Sequence, residues 1–392
     1  MKIILFLILL IPFSLAGQDY SISGYIVDKQ SGERLTGATI YEINSRQGTT
    51  TNNFGFFSFT PKNKTVDLQF RFIGFQSENI HLELSKDTLL NVELTKGIDI
   101  EEVKVTASKR GKNNPELSAL NQARISMDMI EAAPVILGET DVLKTLQYLP
   151  GIKQGAENTA GFNVRGGSSD QNLILLDGVP VYNANHLLGF FSVFNSDALK
   201  NVDLIKGGIP ARYGGRLSSV LNVTMKEGNM KRSSGIFSIS PVAGRFTFET
   251  PIKKDTSSFI ISFRRTLFDI PMLAIEKLMG ENGNFGYYFY DLNAKTNWIF
   301  NSKSRLYLSI YAGKDKQYSN TKEGDSRSKY NYEWGNITTV LRWNKIFSPK
   351  IFSNSLVYYS RYHHIELGKT KSNNANVLFK TSSELQDFSF QT

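Results

Sequence analysis

At 392 residues the chain has room for two or three domains of roughly 150 residues each, and 41% hydrophobic against 21% charged residues excludes wholesale disorder. Cysteine is absent and only four histidines occur, which removes disulfide scaffolds, lipobox acylation, thiol catalysis and cysteine-based zinc sites, and nearly excludes a histidine-rich metal centre. The net charge of +9 arises in residues 231–392, where 23 Lys+Arg face 13 Asp+Glu scattered singly between aromatics, a distribution that does not form a nucleic-acid stripe.

Met1-Lys2 followed by the apolar run Ile3 to Leu15, with Ser14 and Ala16 in small-x-small spacing, reads as a signal peptide over 1–17. The run is too short for a spanning helix, which needs about 20 residues. Export without cysteine, together with period-2 aromatics downstream, points to a bacterial envelope.

Residues 18–95 read as about seven short strands separated by turn chemistry at Ser31-Gly32, Asn52-Asn53 and Pro61, the pattern of a small β-sandwich. Tyr20-Ser-Ile-Ser-Gly-Tyr-Ile-Val and Val66-Asp-Leu-Gln-Phe-Arg-Phe alternate cleanly. The segments Gly24 to Asp28, Gly32 to Thr39, Gly48 to Thr51 and Phe54 to Phe59 resemble the carboxypeptidase regulatory-like domain family, which implies an accessory fold without chemistry of its own.

Residues 96–115 form a linker in which Val103, Val105 and Ala107 alternate with Lys104 and Thr106. Such a segment can add a strand to another protein's sheet edge, or become one more strand of the sandwich.

Residues 116–228 mix helix and strand patterns. Asp141 to Leu149 is a short amphipathic helix stopped by Pro150-Gly151. Strand-like segments follow, and the Gly-rich turns match none of the phosphate-cradling, dinucleotide-binding or nucleophile-elbow patterns. The order Leu149-Pro150-Gly151, Asn163-Val164-Arg165-Gly166-Gly167, Leu176-Asp177-Gly178-Val179-Pro180, Lys206-Gly207-Gly208 and Tyr213-Gly214-Gly215 resembles the plug domain of TonB-dependent outer-membrane receptors. The resemblance implies that these are turn and packing residues of a small mixed sheet. Arg165, Asp177, Lys206 and Arg212 would then be charged groups at sheet edges and against a wall. It also implies that Asp99, Ile100, Glu101, Glu102, Val103, Lys104, Val105, Thr106 and Ala107 form a TonB box.

Within 229–392 the period switches to 2 from Gly235, with eight segments: 236–240, 245–251, 257–264, 287–300, 305–313, 335–346, 351–366 and 378–392. Short connections at 252–256, 301–304 and 347–350 interleave with long polar ones expected at 265–286 and 314–334, the asymmetry of a transmembrane antiparallel β-barrel. His363-His364-Ile365-Glu366 contains H-x-x-E, but residues three apart on a strand face opposite sides, so a zinc site is rejected.

The expected fold is mainly β: signal peptide, sandwich, α+β plug and the start of a barrel. The expected function is import of a nutrient ligand (siderophore, cobalamin, glycan or peptide) through the bacterial outer membrane, without enzymatic activity or cofactor. The implied partners are the TonB–ExbB–ExbD energy-coupling complex, outer-membrane lipid, the imported ligand and a surface lipoprotein, with the sandwich in the periplasm. An outer-membrane-anchored binding or adhesion protein without transport is the alternative. Family barrels have about 22 strands, so the chain is expected to be the first part of a protein roughly twice as long.

Overall fold

The computed structural model describes residues 20–97, 121–135, 137–155, 161–279, 283–372 and 376–392. The expected signal peptide and the expected TonB box lie outside the described residues. The chain divides into a small unit holding the sandwich and a larger unit holding the middle region with a long-stranded sheet.

In the small unit, β1 (Ile22–Asp28) pairs with β4 (Phe56–Phe59), β7 (Thr88–Leu89) and β8 (Val92–Leu94). A second sheet runs β3 (Gly48–Thr50), β2 (Thr39–Glu42), β5 (Thr65–Arg71), β6 (Glu78–Glu83). Alternation decides which side chains meet between the sheets: Val66, Leu68 and Phe70 of β5 are buried with Ile22 and Ile26 of β1 and Ile40 of β2.

The middle region forms a five-stranded mixed sheet in the order β13 (Val179–Pro180), β12 (Asn172–Leu176), β17 (Ser219–Met225), β16 (Leu199–Ile205), β9 (Gln122–Ser126). Only β12 and β17 run parallel. Helix α1 (Met127–Ala132) follows β9 directly, capped by Ser126 Oγ, which accepts from the Met129 amide. Helix α2 (Val142–Leu146) is one turn long, shorter than its amphipathic pattern, and buries Val142, Leu143 and Leu146. Two hairpins complete the region: β10 (Ile152–Gln154) with β11 (Phe162–Val164), and β14 (Asn185–His186) with β15 (Phe191–Ser192).

The rest is one antiparallel meander in chain order: β18 (Ser234–Ile239), β19 (Ala243–Lys253), β20 (Ser257–Thr266), β21 (Gly283–Asn301), β22 (Ser304–Glu323), β23 (Ser326–Ser348), β24 (Ile351–Lys371) and β25 (Asn376–Gln391). Two expected long connections are corrected. The polar stretch 314–334 is strand: β22 and β23 stay paired as far as Glu323 and Ser326, leaving Gly324-Asp325 as the turn. The stretch 265–286 holds helix α3 (Asp269–Met279) between two strand ends. Hydropathy alternation fades in both stretches because a strand needs only about ten residues to cross the apolar band of a bilayer. The 20 and 23 residues of β22 and β23 therefore run well past it, where both faces can be polar.

The meander's two faces differ sharply. Phe246, Phe248, Phe263, Leu341 and Trp343 lie on one face and are exposed. Ser262, Arg264, Asp291, Asn293, Lys295 and Asn297 lie on the other and are buried under the middle region. A polar face covered by protein and an apolar face left open is the reverse of a water-soluble sheet, and it is what a lipid-facing barrel wall requires.

Candidate functional site

The turn between β12 and β13 brings the first charged group to the wall. Asp177 takes a left-handed conformation (φ 49°) that turns its carboxylate out of the small sheet. Oδ1 accepts from the Met225 amide at 3.0 Å, fixing the side chain. Oδ2 accepts from Ser309 Oγ at 2.7 Å and stands 2.9 Å from Lys295 Nζ, both on the wall. Arg342, on β23, donates to the Asp177 carbonyl. Gly178 follows with φ 79°, and a Cβ there would stand 2.9 Å from Arg342 Nη2. This turn therefore needs glycine twice over, for its backbone and for the guanidinium against it.

The densest cluster centres on β14. His186 is 1% exposed and lies between two wall carboxylates: Nε2 is 2.8 Å from Asp291 Oδ1, and Nδ1 is 2.7 Å from Asp315 Oδ2. Arg264 donates to Asp291 Oδ2 through Nε at 2.9 Å and Nη2 at 2.6 Å, and Nη2 also reaches the Ser192 carbonyl at 2.7 Å. Tyr311 donates to Asp291 and Tyr287 to Asp315, while the His186 ring stacks on Phe289 at 4.0 Å. Burial opposes a charge on His186, but the carboxylates of Asp291 and Asp315 outweigh it and raise the imidazole from 6.5 to about 9. The ring is thus an imidazolium donating from both nitrogens.

The backbone just beyond is strained. Leu187 and Leu188 both have positive φ (48° and 54°), at about 1–2 kcal/mol each for a non-glycine residue. The Leu187 amide donates to Asp315 Oδ1 at 3.2 Å and to Tyr287 Oη, so the wall holds the bend in place. Leu188 remains 68% exposed at its tip. A third anchor lies near the short-turn end of the wall, where Arg305 Nη2 stands 2.8 Å from Glu227 Oε2 and Asn297 Nδ2 donates to the Glu227 carbonyl at 2.7 Å.

Of the residues singled out in the sequence, Asp177 and Gly178 meet the wall. Arg165 and Lys206 gather elsewhere: Arg165 Nη2 donates to Asn121 at 2.7 Å, Lys206 Nζ reaches the Pro150 carbonyl at 3.1 Å, and a Cβ on Gly207 would stand 2.8 Å from Arg165 Nη1. Gly166 and Gly208 lie in the turns beside them with positive φ, and Gly167 packs on Ser218. Arg212 lies over the Tyr213 ring in an exposed loop with Gly214 and Gly215. Asp177 alone of the four charged groups meets the wall, because its turn points into the meander and the other three lie on exposed turns. Sequence reasoning missed His186, Arg264, Asp291, Lys295, Arg305 and Asp315. Their signal was available as charge at the inward parity of otherwise aromatic strands. His363 and Glu366 both lie on β24, three apart, and Glu366 accepts from Tyr330 at 3.1 Å on the inward side.

A small mixed domain ion-paired to the polar face of long antiparallel strands matches what the family comparison finds. Residues 118–219 match the TonB-dependent Receptor Plug Domain. The chain carries a TonB-dependent receptor plug domain. Residues 22–105 match the CarboxypepD_reg-like domain. Similar proteins include the ferrienterobactin receptor of Escherichia coli (strain K12), 27% identical over 143 residues, covering 32% of this chain and 18% of that protein. Another is the probable TonB-dependent siderophore receptor PirA of Acinetobacter baumannii, 21% identical over 274 residues, covering 62% of this chain and 35% of that protein. Among solved structures, the A. baumannii siderophore receptor PirA aligns with TM-score 0.39 at 16% identity over 70% of this chain and 49% of its own. The unliganded ferric citrate transporter FecA aligns with TM-score 0.42 at 11% identity over 69% of this chain and 52% of its own. The chain thus spans about half the length of those solved structures and less of the curated relatives. Seen as a plug, this region is held to the wall by buried ionic anchors at Asp177, His186 and Glu227, and by Arg245 of β19 against Glu139 and Asp197.

Proposed function

We propose that this protein is a TonB-dependent outer-membrane receptor that imports a nutrient ligand with energy supplied through TonB. The observation that carries the reading is the plug domain ion-paired to the polar face of a meander whose opposite face is apolar and exposed. No helix among the described residues is long and apolar enough to cross a membrane, which leaves crossing by strands open.

In this reading the domains are a signal peptide (1–17), the sandwich (18–95), a linker (96–115), the plug (116–228) and wall strands (229–392). Asp99 to Ala107 is the TonB box, which adds a strand to the TonB–ExbB–ExbD complex from the periplasmic side. The sandwich faces the periplasm with it. Ligand approaches from the opposite side, against the strained Leu187-Leu188 tip. Pulling on the box breaks buried ionic anchors, and these can re-form without covalent change, so the plug can cycle. An adhesion protein would need neither the plug nor the breakable anchors.

The test is uptake in cells expressing the full-length gene. Val105→Pro removes a strand donor from the box, so import should be lost while surface binding persists. Import at the unsubstituted rate would end the reading. Protease cleavage at Lys109-Arg110 only after the envelope is opened supports the orientation, and cleavage in intact cells contradicts it.

A further inference from the structure

The wall beyond the plug distributes its charge unevenly between its faces. The inward side is fixed by contacts with the plug: Trp334 Nε1 donates to the Asn185 carbonyl, Ser360 Oγ to the Pro180 carbonyl, and Tyr182 reaches Asp387. From these points strand alternation runs on toward the Gly324-Asp325 turn, and cross-strand partners share a face. Inward positions from the plug's rim toward that turn are Phe285 on β21, Gln317 and Ser319 on β22, and on β23 Tyr330 and Tyr332, the latter packed in one cluster with Leu187 and Phe190 of the plug. On β24 they are Tyr362, which still hydrogen-bonds Asn183 of the plug, then His364 and Glu366, opposite Leu385, Ser383 and Thr381 of β25.

Every Lys and Arg in the corresponding stretches, 314–332 and 361–385, lies on the other parity. Lys314 and Lys316, for example, pair with Glu333 on the outward side, and Arg361 with Glu384. Among the described residues, the inward face of this sector therefore carries rings, hydroxyls, amides and the carboxylate of Glu366, but no guanidinium or ammonium group. The rings stand together: Tyr332 is 4.8 Å from Trp334 and 5.6 Å from His364, centre to centre. Phe285 is 44% exposed.

A polyanionic ligand recognised here would lose hydration without gaining the charged donors that usually replace it, and it would meet Glu366. A neutral ring with many hydroxyls loses little on desolvation. It can stack on the tyrosines and exchange hydrogen bonds with their hydroxyls, Gln317 and Glu366. From this placement we infer that the ligand seated above the plug against β21–β25 is an uncharged, polyhydroxylated ring compound, an oligosaccharide rather than an anionic metal complex. The inference rests on the importer reading above and names the chemistry of its substrate.

The experiment is calorimetric titration of the purified full-length protein with linear neutral hexasaccharides of glucose, xylose, mannose and N-acetylglucosamine. Ferric citrate and a cationic oligolysine are titrated in parallel. At least one saccharide should bind, with affinity changing less than about two-fold between about 50 and about 500 mM NaCl, since no screened charge pair is involved. Tyr332→Ala should weaken it at least about ten-fold, whereas Lys316→Ala on the outward face should not change it. Binding of ferric citrate or oligolysine alone, or of none of the probes, overturns the inference. Uptake that is lost in Val105→Pro while the imported solute proves anionic would leave the importer reading standing and remove only this one.

Discussion

Asp291→Ala should loosen the plug by about 3–5 kcal/mol, the cost of stripping one partner from a buried charge pair. Asp291 is fully buried and accepts two hydrogen bonds from Arg264, one from His186 and one from Tyr311. After truncation His186 keeps Asp315, but Arg264, at 2% exposure, keeps the Ser192 carbonyl as its hydrogen-bond acceptor and the Phe289 ring 5.1 Å away, with no carboxylate hydrogen-bonded to it. Summing four charge-assisted bonds would overshoot, because they share one carboxylate and do not add. Asp291→Asn keeps the shape and part of the hydrogen bonding, so its cost should be smaller. The assay is denaturant titration of the purified receptor, following protease susceptibility of plug segments such as 121–135. Arg361→Ala, which opens an exposed ion pair with Glu384, is the control and should leave plug release unchanged. A midpoint shift for Asp291→Ala equivalent to less than about 1 kcal/mol would refute the argument that buried charge pairs hold the plug.

Protonation of His186 should tie plug retention to pH. Its imidazole is raised above the ordinary 6.5, so the stabilisation is fully present below about 6.5 and is lost as pH rises through about 9, a dependence that His186→Ala should abolish in the same protease assay. Gly178→Val forces a β-branched residue into φ 79° and pushes a Cβ toward Arg342, so it should cost at least about 1–2 kcal/mol; plug release at an unchanged denaturant midpoint would contradict this. In the sandwich, the hydrogen bond that His81 Nδ1 donates to Asp67 Oδ1 at 2.6 Å raises the exposed imidazole. An NMR titration should place His81 above 6.5, and Asp67→Asn should return it to the ordinary range.

The sequence by itself determined whatever depends on local periodicity. Alternation in Phe259-Ile-Ile-Ser-Phe263 sets lipid face against plug face, because neighbouring side chains on a strand must point opposite ways. Turn residues such as Asp177-Gly178 announce themselves because few residues tolerate left-handed backbone. Alternation failed at 314–334, where the strands extend past the apolar band and polarity no longer distinguishes strand from loop. Pairing was decided by the tertiary structure alone. His186 meets Asp291 across 105 positions, and Asp177 meets Ser309 across 132, once the plug docks and the strand register is set. Charge at an inward position was visible in the sequence, but its partner was not. The periodicity that places Arg264, Asp291 or Lys295 on a face is local, whereas the contact that neutralises each is set by strand register and the packing of one layer on another.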